Sequence, residues 1–195
     1  MKKRNNYFSF RTPVLSIVEV CFGISFLVFA TLFSSCNNDD DNGSTDPISQ
    51  LPPATQTGEG TFGCLVNGEP FVDNSSFFNC FYQLVDGEYY FGLTAQINGD
   101  NYVQIDIGSL KSEIQINTSL ELKEREDGNF YAWLSFDCIC PQGKTNSNLP
   151  GNLTITKLDE SNNIISGAFE FTVINPNTGD IYEITEGRFD TQFTQ

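Results

Sequence analysis

The chain has 195 residues, 25 Asp+Glu against 10 Lys+Arg, no histidine and a formal net charge of −15. So acidic a surface repels phosphate backbones and anionic headgroups, which excludes nucleic acid as a partner. Without histidine there is no Ser–His or Cys–His catalysis, no imidazole base and no imidazole metal ligand.

Residues 1–35 read as an export signal. Lys2, Lys3 and Arg4 form a positive start, residues 17–33 are mostly apolar around a lone Glu19, and Ser34 and Ser35 precede Cys36. A charged start, an apolar middle and small residues at the exit mark a secretory signal. With Cys36 directly behind it, the layout resembles a bacterial lipoprotein signal. That resemblance implies removal of residues 1–35 and lipidation of the Cys36 thiol, although Phe33 stands where leucine is usual. An uncleaved membrane helix is the alternative; its span is near the lower limit and Glu19 would be costly inside it. Plain secretion is the third reading. Cleavage takes away Lys2, Lys3, Arg4, Arg11 and Glu19, so the charge falls from −15 to −18. Two acyl chains anchor a protein firmly, so the membrane is an expected partner through lipid alone.

Residues 36–60 are expected to be a lipidated cysteine followed by a disordered acidic tether. The stretch is rich in Asn, Asp, Ser, Thr, Gly and Pro, and buries too little apolar surface to offset ordering entropy. Asp39, Asp40 and Asp41 resemble the acidic export signal of Bacteroidota lipoproteins. That implies an outer-membrane position facing the cell exterior; a plain spacer on the periplasmic face is the alternative. Asn38, Asp40, Asn42 and Gly43 have the spacing of a calcium loop, but the twelfth position is Ser49 where a glutamate is required.

Residues 61–195 form one expected domain, large enough for a core of its own. Alternation with period two runs through Tyr89, Phe91, Leu93, Ala95 and Ile97, then Val103, Ile105 and Ile107. A third run is Ile114, Ile116, Thr118, Leu120 and Leu122, and a fourth Phe130, Ala132, Leu134, Phe136 and Cys138. Ile165, Gly167, Phe169, Phe171 and Val173 repeat it. Turn signals separate the runs, among them Asn67-Gly68, Asp86-Gly87 and Asp127-Gly128-Asn129. The pattern predicts an all-β fold of roughly nine or ten strands: a single antiparallel β-sandwich, or alternatively an up-and-down β-barrel. Tyr82, Tyr89 and Tyr90 are assigned to the core, with an apolar barrel cavity as the other reading.

Cys64, Cys80, Cys138 and Cys140 remain after Cys21 and Cys36 are set aside. An even number in an oxidising compartment predicts two disulfides, with free buried thiols as the alternative. Cys138 and Cys140 would lie about 6.5–7 Å apart on one face of a strand, too far for a relaxed bridge. Each should therefore pair with Cys64 or Cys80. A four-thiolate zinc site is disfavoured by the single residue between Cys138 and Cys140. No metal or cofactor is expected.

The runs at residues 61–68 (TFGCLVNG), 165–171 (ISGAFEF) and 184–190 (ITEGRFD), behind a lipoprotein signal, resemble a family of Bacteroidota lipoproteins of unknown function. The resemblance covers most of the domain and brings no catalytic residues. Tyr131, Trp133 and Asp137 share the outward side of their strand. They are the candidate ligand platform, since spaced aromatics can stack on a sugar ring. The competing reading buries that side. The Glu186 to Asp190 run is expected to be structural, with Gly187 at a bulge and a local ion pair. No pair of the many carboxylates stands out for glycoside hydrolysis. The sequence therefore points to a surface-displayed lipoprotein with a non-catalytic binding domain for a glycan, peptide or protein. A carboxylate-based glycan hydrolase and a structural or adhesive component are the alternatives.

Overall fold

A computed structural model describes residues 46–98, 102–136 and 143–195. Cys36, Asp137, Cys138 and Cys140, and the tether before residue 46, lie outside these. Eleven strands occur among the described residues. They are β1 (Thr61–Val66), β2 (Glu69–Val72), β3 (Asn79–Val85), β4 (Glu88–Ile97), β5 (Val103–Leu110) and β6 (Ser119–Lys123). After these come β7 (Phe130–Phe136), β8 (Gly143–Lys144), β9 (Gly151–Asp159), β10 (Ile164–Ile174) and β11 (Ile181–Gln192).

The all-β expectation holds, and the strands form one large curled sheet, a half-barrel. Its order is β2-β1-β11-β10-β9-β6-β7-β5-β4-β3, with β8 paired to β7. Every pairing is antiparallel except β6 with β7, which run parallel. Such a sheet has two end strands, and unpaired edges invite association. The β3 edge is met by the chain's own tail. Thr194 N–H donates to Cys80 O, and Thr194 O accepts Tyr82 N–H, both at 3.0 Å.

Local chemistry explains the hairpins. Asn67 and Gly68 have φ of 51° and 83°, and Asp86 and Gly87 52° and 84°. Positive φ at both central residues is what a tight two-residue hairpin needs, and Asn-Gly and Asp-Gly accept it readily. Asn67 also secures the neighbouring strand, its Oδ1 accepting Glu183 N–H at 2.7 Å.

The predicted faces bury as the alternation requires: Phe91, Leu93, Ile105, Leu134 and Ile165 are each 1% exposed or less. Tyr82 belongs to this core. It stacks on Tyr89 at 5.0 Å, and burial pushes its hydroxyl up to about 12. The run from Ile114 to Leu122 departs from expectation. β6 begins only at Ser119, Asn117 is left-handed with φ 56°, and Ile116 is 51% exposed. Two contacts fix this bend: Ile114 N–H donates to Tyr82 Oη at 3.2 Å, and Asn117 N–H donates to Ile155 O at 2.8 Å.

Cys64 and Cys80 are free thiols, both buried. They form no disulfide among the described residues, Cys138 and Cys140, their expected partners, lying outside these, and burial pushes both thiols far above their ordinary pKa.

Residues 46–60 also correct the sequence reading. They pack on the domain rather than forming tether. Asp46 caps a short 3-10 turn, Pro47–Gln50, and Leu51 is buried. Beyond it, Asp190 of β11, 1% exposed, holds the chain down. Its carboxylate accepts Thr55 Oγ1 at 2.6 Å, Thr57 N–H at 2.9 Å, Gly58 N–H at 2.8 Å and Ser166 Oγ at 2.7 Å. Burial alone would raise the Asp190 carboxyl. The hydrogen bonds from Thr55, Thr57, Ser166 and Gly58 outweigh it and hold the group well below the usual carboxylate range. Composition foretold a coil because it counts apolar residues; here one leucine and one satisfied carboxylate order the segment.

Candidate functional site

The sheet face opposite the core carries an ordered set of side chains across β3, β4, β5, β7 and β8. Register makes the set. Asn79, Thr94, Asp106, Trp133 and Lys144 are successive cross-strand partners, each directly opposite the next. One row away, Phe81, Gly92, Gly108 and Tyr131 are partners in the same way. On the other side lie Gln96, Gln104 and Ser135. Side chains two apart on a strand share a face, so all three rows belong to one surface.

The two glycines let aromatic rings lie flat on the strands. A Cβ on Gly92 would come 2.3 Å from the Phe81 ring, and one on Gly108 2.7 Å from Tyr131 Oη. Phe81 and Tyr131 therefore cover backbone that any larger residue would push away.

Tyr131 and Trp133 sit together as the sequence suggests, half-exposed, with ring centroids 5.2 Å apart and planes tilted by 42°. They form an angled pair rather than a flat shelf. Cations stand against them: the Arg125 guanidinium is 5.4 Å from each ring, and Lys144 Nζ is 5.5 Å from the Trp133 ring. Each such contact is worth about 0.5–1 kcal/mol at an exposed site, enough to orient the rings. Ser135, beyond Trp133, is fully buried with no partner for its hydroxyl.

Next to Trp133 the face becomes a polar network. Thr94 Oγ1 donates to Asp106 Oδ1 at 2.7 Å, and Gln104 Nε2 donates to Asp106 Oδ2 at 2.7 Å. Tyr102 Oη bonds the Gln104 side-chain carbonyl, and Gln96 Nε2 donates to Asn98 Oδ1 at 2.8 Å. Asn79, Thr94, Gln96, Tyr102 and Gln104 line a groove of about 520 Å³ with Phe77 on its rim. Phe77 is 65% exposed, and the loop that carries it is pinned where Asp73 Oδ2 accepts Gln96 N–H at 2.6 Å.

No family model, curated protein or solved structure matches this chain. What the face can do chemically is read from its own residues. Planar amides and a carboxylate held by mutual hydrogen bonds present fixed donors and acceptors. Flanking aromatics supply apolar surface. Polyhydroxylated rings, with polar edges and apolar faces, match both.

The strand of Tyr131 and Trp133 was legible from alternation. Thr94, Gln96, Gln104 and Asp106 were not singled out; the signal for them was polar residues recurring every second position opposite a buried face, beside glycine in mid-strand. Two grooves hold carboxylate pairs, Glu113 with Glu121 and Glu170 with Glu186. All four side chains are exposed, and Glu121 is tied to Lys123 at 2.6 Å.

Proposed function

We propose that the chain is a lipid-anchored lipoprotein whose β domain binds glycan, without catalysis, on the outer face of β3, β4, β5 and β7. One observation carries this reading: the in-register row Asn79, Thr94, Asp106 and Trp133, flanked by Gln96 and Gln104. It sets an apolar ring surface against hydrogen-bonding groups already locked in place, which lowers the ordering cost of binding. Anchorage is proposed through Cys36, at the outer membrane and facing the exterior, as the residues around Cys36 suggest; the periplasmic face is the other possible side. On this reading the protein is one of the Bacteroidota lipoproteins it resembles.

The test is a glycan-array screen of the full chain followed by titration of Trp133→Ala and Gln104→Ala. Loss of ring stacking, worth about 1 kcal/mol, should weaken binding roughly five- to tenfold. Matching thermal melts would separate binding from folding. Unchanged glycan affinity in both variants would remove the reading. Cleavage of the bound glycan would favour the hydrolase, and binding confined to peptides or proteins would favour a protein ligand.

A further inference from the structure

A second site lies elsewhere on the sheet, around Arg188. This residue is on β11, opposite Ala168 of β10 and Gly63 of β1. It lines a pocket of about 370 Å³ together with Ala54, Thr154, Glu170 and Glu186. Its Nε and Nη2 are shut off from solvent and have no hydrogen-bond partner. The ion pairs among the described residues are Lys111–Asp127, Lys123–Glu121 and Lys157–Asp159, so none involves Arg188. The local ion pair expected within the 186–190 run is thus not formed. A bulge is present, but just before Gly187, which pairs regularly with Phe169: register shifts between Phe169 and Phe171, and Glu186 is left-handed with φ 54°. Glu170, for its part, accepts Asn152 Nδ2 at 3.4 Å.

Water-excluded donors left unbonded are costly, and more so on a charged group. Each such group in a native protein calls for an explanation, and a ligand that completes its donors is one. A guanidinium offers a planar fork that matches the two oxygens of a carboxylate. Glu170 and Glu186 line the same pocket and would repel a dianionic phosphate more strongly than a single negative charge. Their acceptors, with Asn152 and Thr154, can take the hydroxyls of a ligand held by its carboxylate. Pro52 lies over neighbouring Gly63, where a Cβ would come 2.5 Å from Pro52 Cδ. Two residues on, Ala54 lines the pocket. We propose that this pocket binds the carboxylate of an acidic sugar, with Arg188 as the receiving group.

The test is saturation-transfer NMR on the full chain carrying Trp133→Ala, so that the aromatic face contributes nothing and either proposal can fail alone. The ligands observed are glucuronate and its neutral amide, with inorganic phosphate, which has no carbon-bound proton, read as a competitor of glucuronate. Glucuronate should bind with Kd of about 1 mM, and the amide at least about tenfold more weakly. Arg188→Lys keeps the charge but loses the planar fork and should weaken glucuronate about tenfold. Glu186→Gln is exposed and removes a repelling charge, so it should tighten glucuronate up to about threefold. Equal binding of the amide, equal binding of phosphate, an unchanged affinity in Arg188→Lys, or weaker binding in Glu186→Gln would each overturn the proposal.

Discussion

Asp190→Asn tests the arrangement of residues 46–60 most directly. Asparagine keeps the size and one acceptor oxygen. It places an NH2 where Asp190 Oδ2 now accepts Thr55 Oγ1 at 2.6 Å and Thr57 N–H at 2.9 Å. The threonine hydroxyl can turn to accept; the Thr57 amide cannot and is left facing another donor. A hydrogen bond to a charged group contributes about 1.5–3 kcal/mol net, against about 1 kcal/mol for a neutral pair. Losing the Thr57 bond and the charge behind the other three therefore costs about 3–5 kcal/mol. The assay is urea unfolding of wild type and variant, with limited proteolysis of residues 52–60 as a local readout. The pH dependence follows by sign. Hydrogen bonding holds the folded Asp190 well below the usual carboxylate range, so its contribution is complete above the unfolded value, about pH 4. Below that it is lost as pH falls toward the folded value, at up to about 1.4 kcal/mol per pH unit. The stability gap to Asp190→Asn should be flat from neutral pH to about 4 and shrink in stronger acid. A gap under about 1 kcal/mol at neutral pH, or one that widens in acid, refutes the argument.

Two further substitutions and one labelling experiment bear on the rest of the fold. Gly108→Ala puts a Cβ 2.8 Å from Phe91 O, a backbone atom of the next strand, and should cost about 1–3 kcal/mol as overpacking does. At Gly92 the three atoms nearest an added Cβ all belong to the Phe81 ring, which can swing away, so the unfolding midpoint of Gly92→Ala should fall less; the reverse order would show the rings do not lie as described. Burial and the raised thiol pKa values predict that Cys64 and Cys80 take up iodoacetamide only after unfolding. Equal labelling rates in native and unfolded protein, or recovery of either residue in a disulfide-linked peptide, would contradict the buried free thiols.

Most of the fold was legible because the chain is locally consistent. The alternation at Phe91, Leu93 and Ala95 and the Asn67-Gly68 and Asp86-Gly87 turns each specify the same sheet. What was hidden depends on contacts between residues far apart in sequence. Asp190 sits in a strand where alternation would turn it to water, yet Phe189, Asp190 and Thr191 are all buried. Both faces of the strand are covered there, because the 55–59 segment lies against the outer one. Thr145 is similar. Its hydroxyl accepts Ala132 N–H at 2.9 Å and donates to Lys123 O at 2.7 Å, linking β7 to the end of β6 where the parallel pair stops. Neither role has a local signature. Arg188 was misread for a related reason: two residues apart on a strand, Glu186 and Arg188 look like partners, but the bulge at Glu186 breaks the regular spacing and no ion pair joins them.

The two proposed sites would also account for glycine and arginine where strand propensity disfavours or burial penalises them. Gly92 and Gly108 weaken their strands in the ordinary sense, since glycine has no side chain to pack and loses more entropy on ordering. On the outer face that loss is offset by rings that cover the exposed backbone, and on the proposed reading the same rings are the surface for a ligand. Arg188 follows the same logic with charge in place of shape. A stable sheet gains nothing from a guanidinium that makes no hydrogen bond, and replacing a buried charge with an apolar group is commonly neutral or stabilising. Features that cost folding energy without repaying it inside the domain are the ones a binding protein would keep, because the ligand supplies what the fold leaves out.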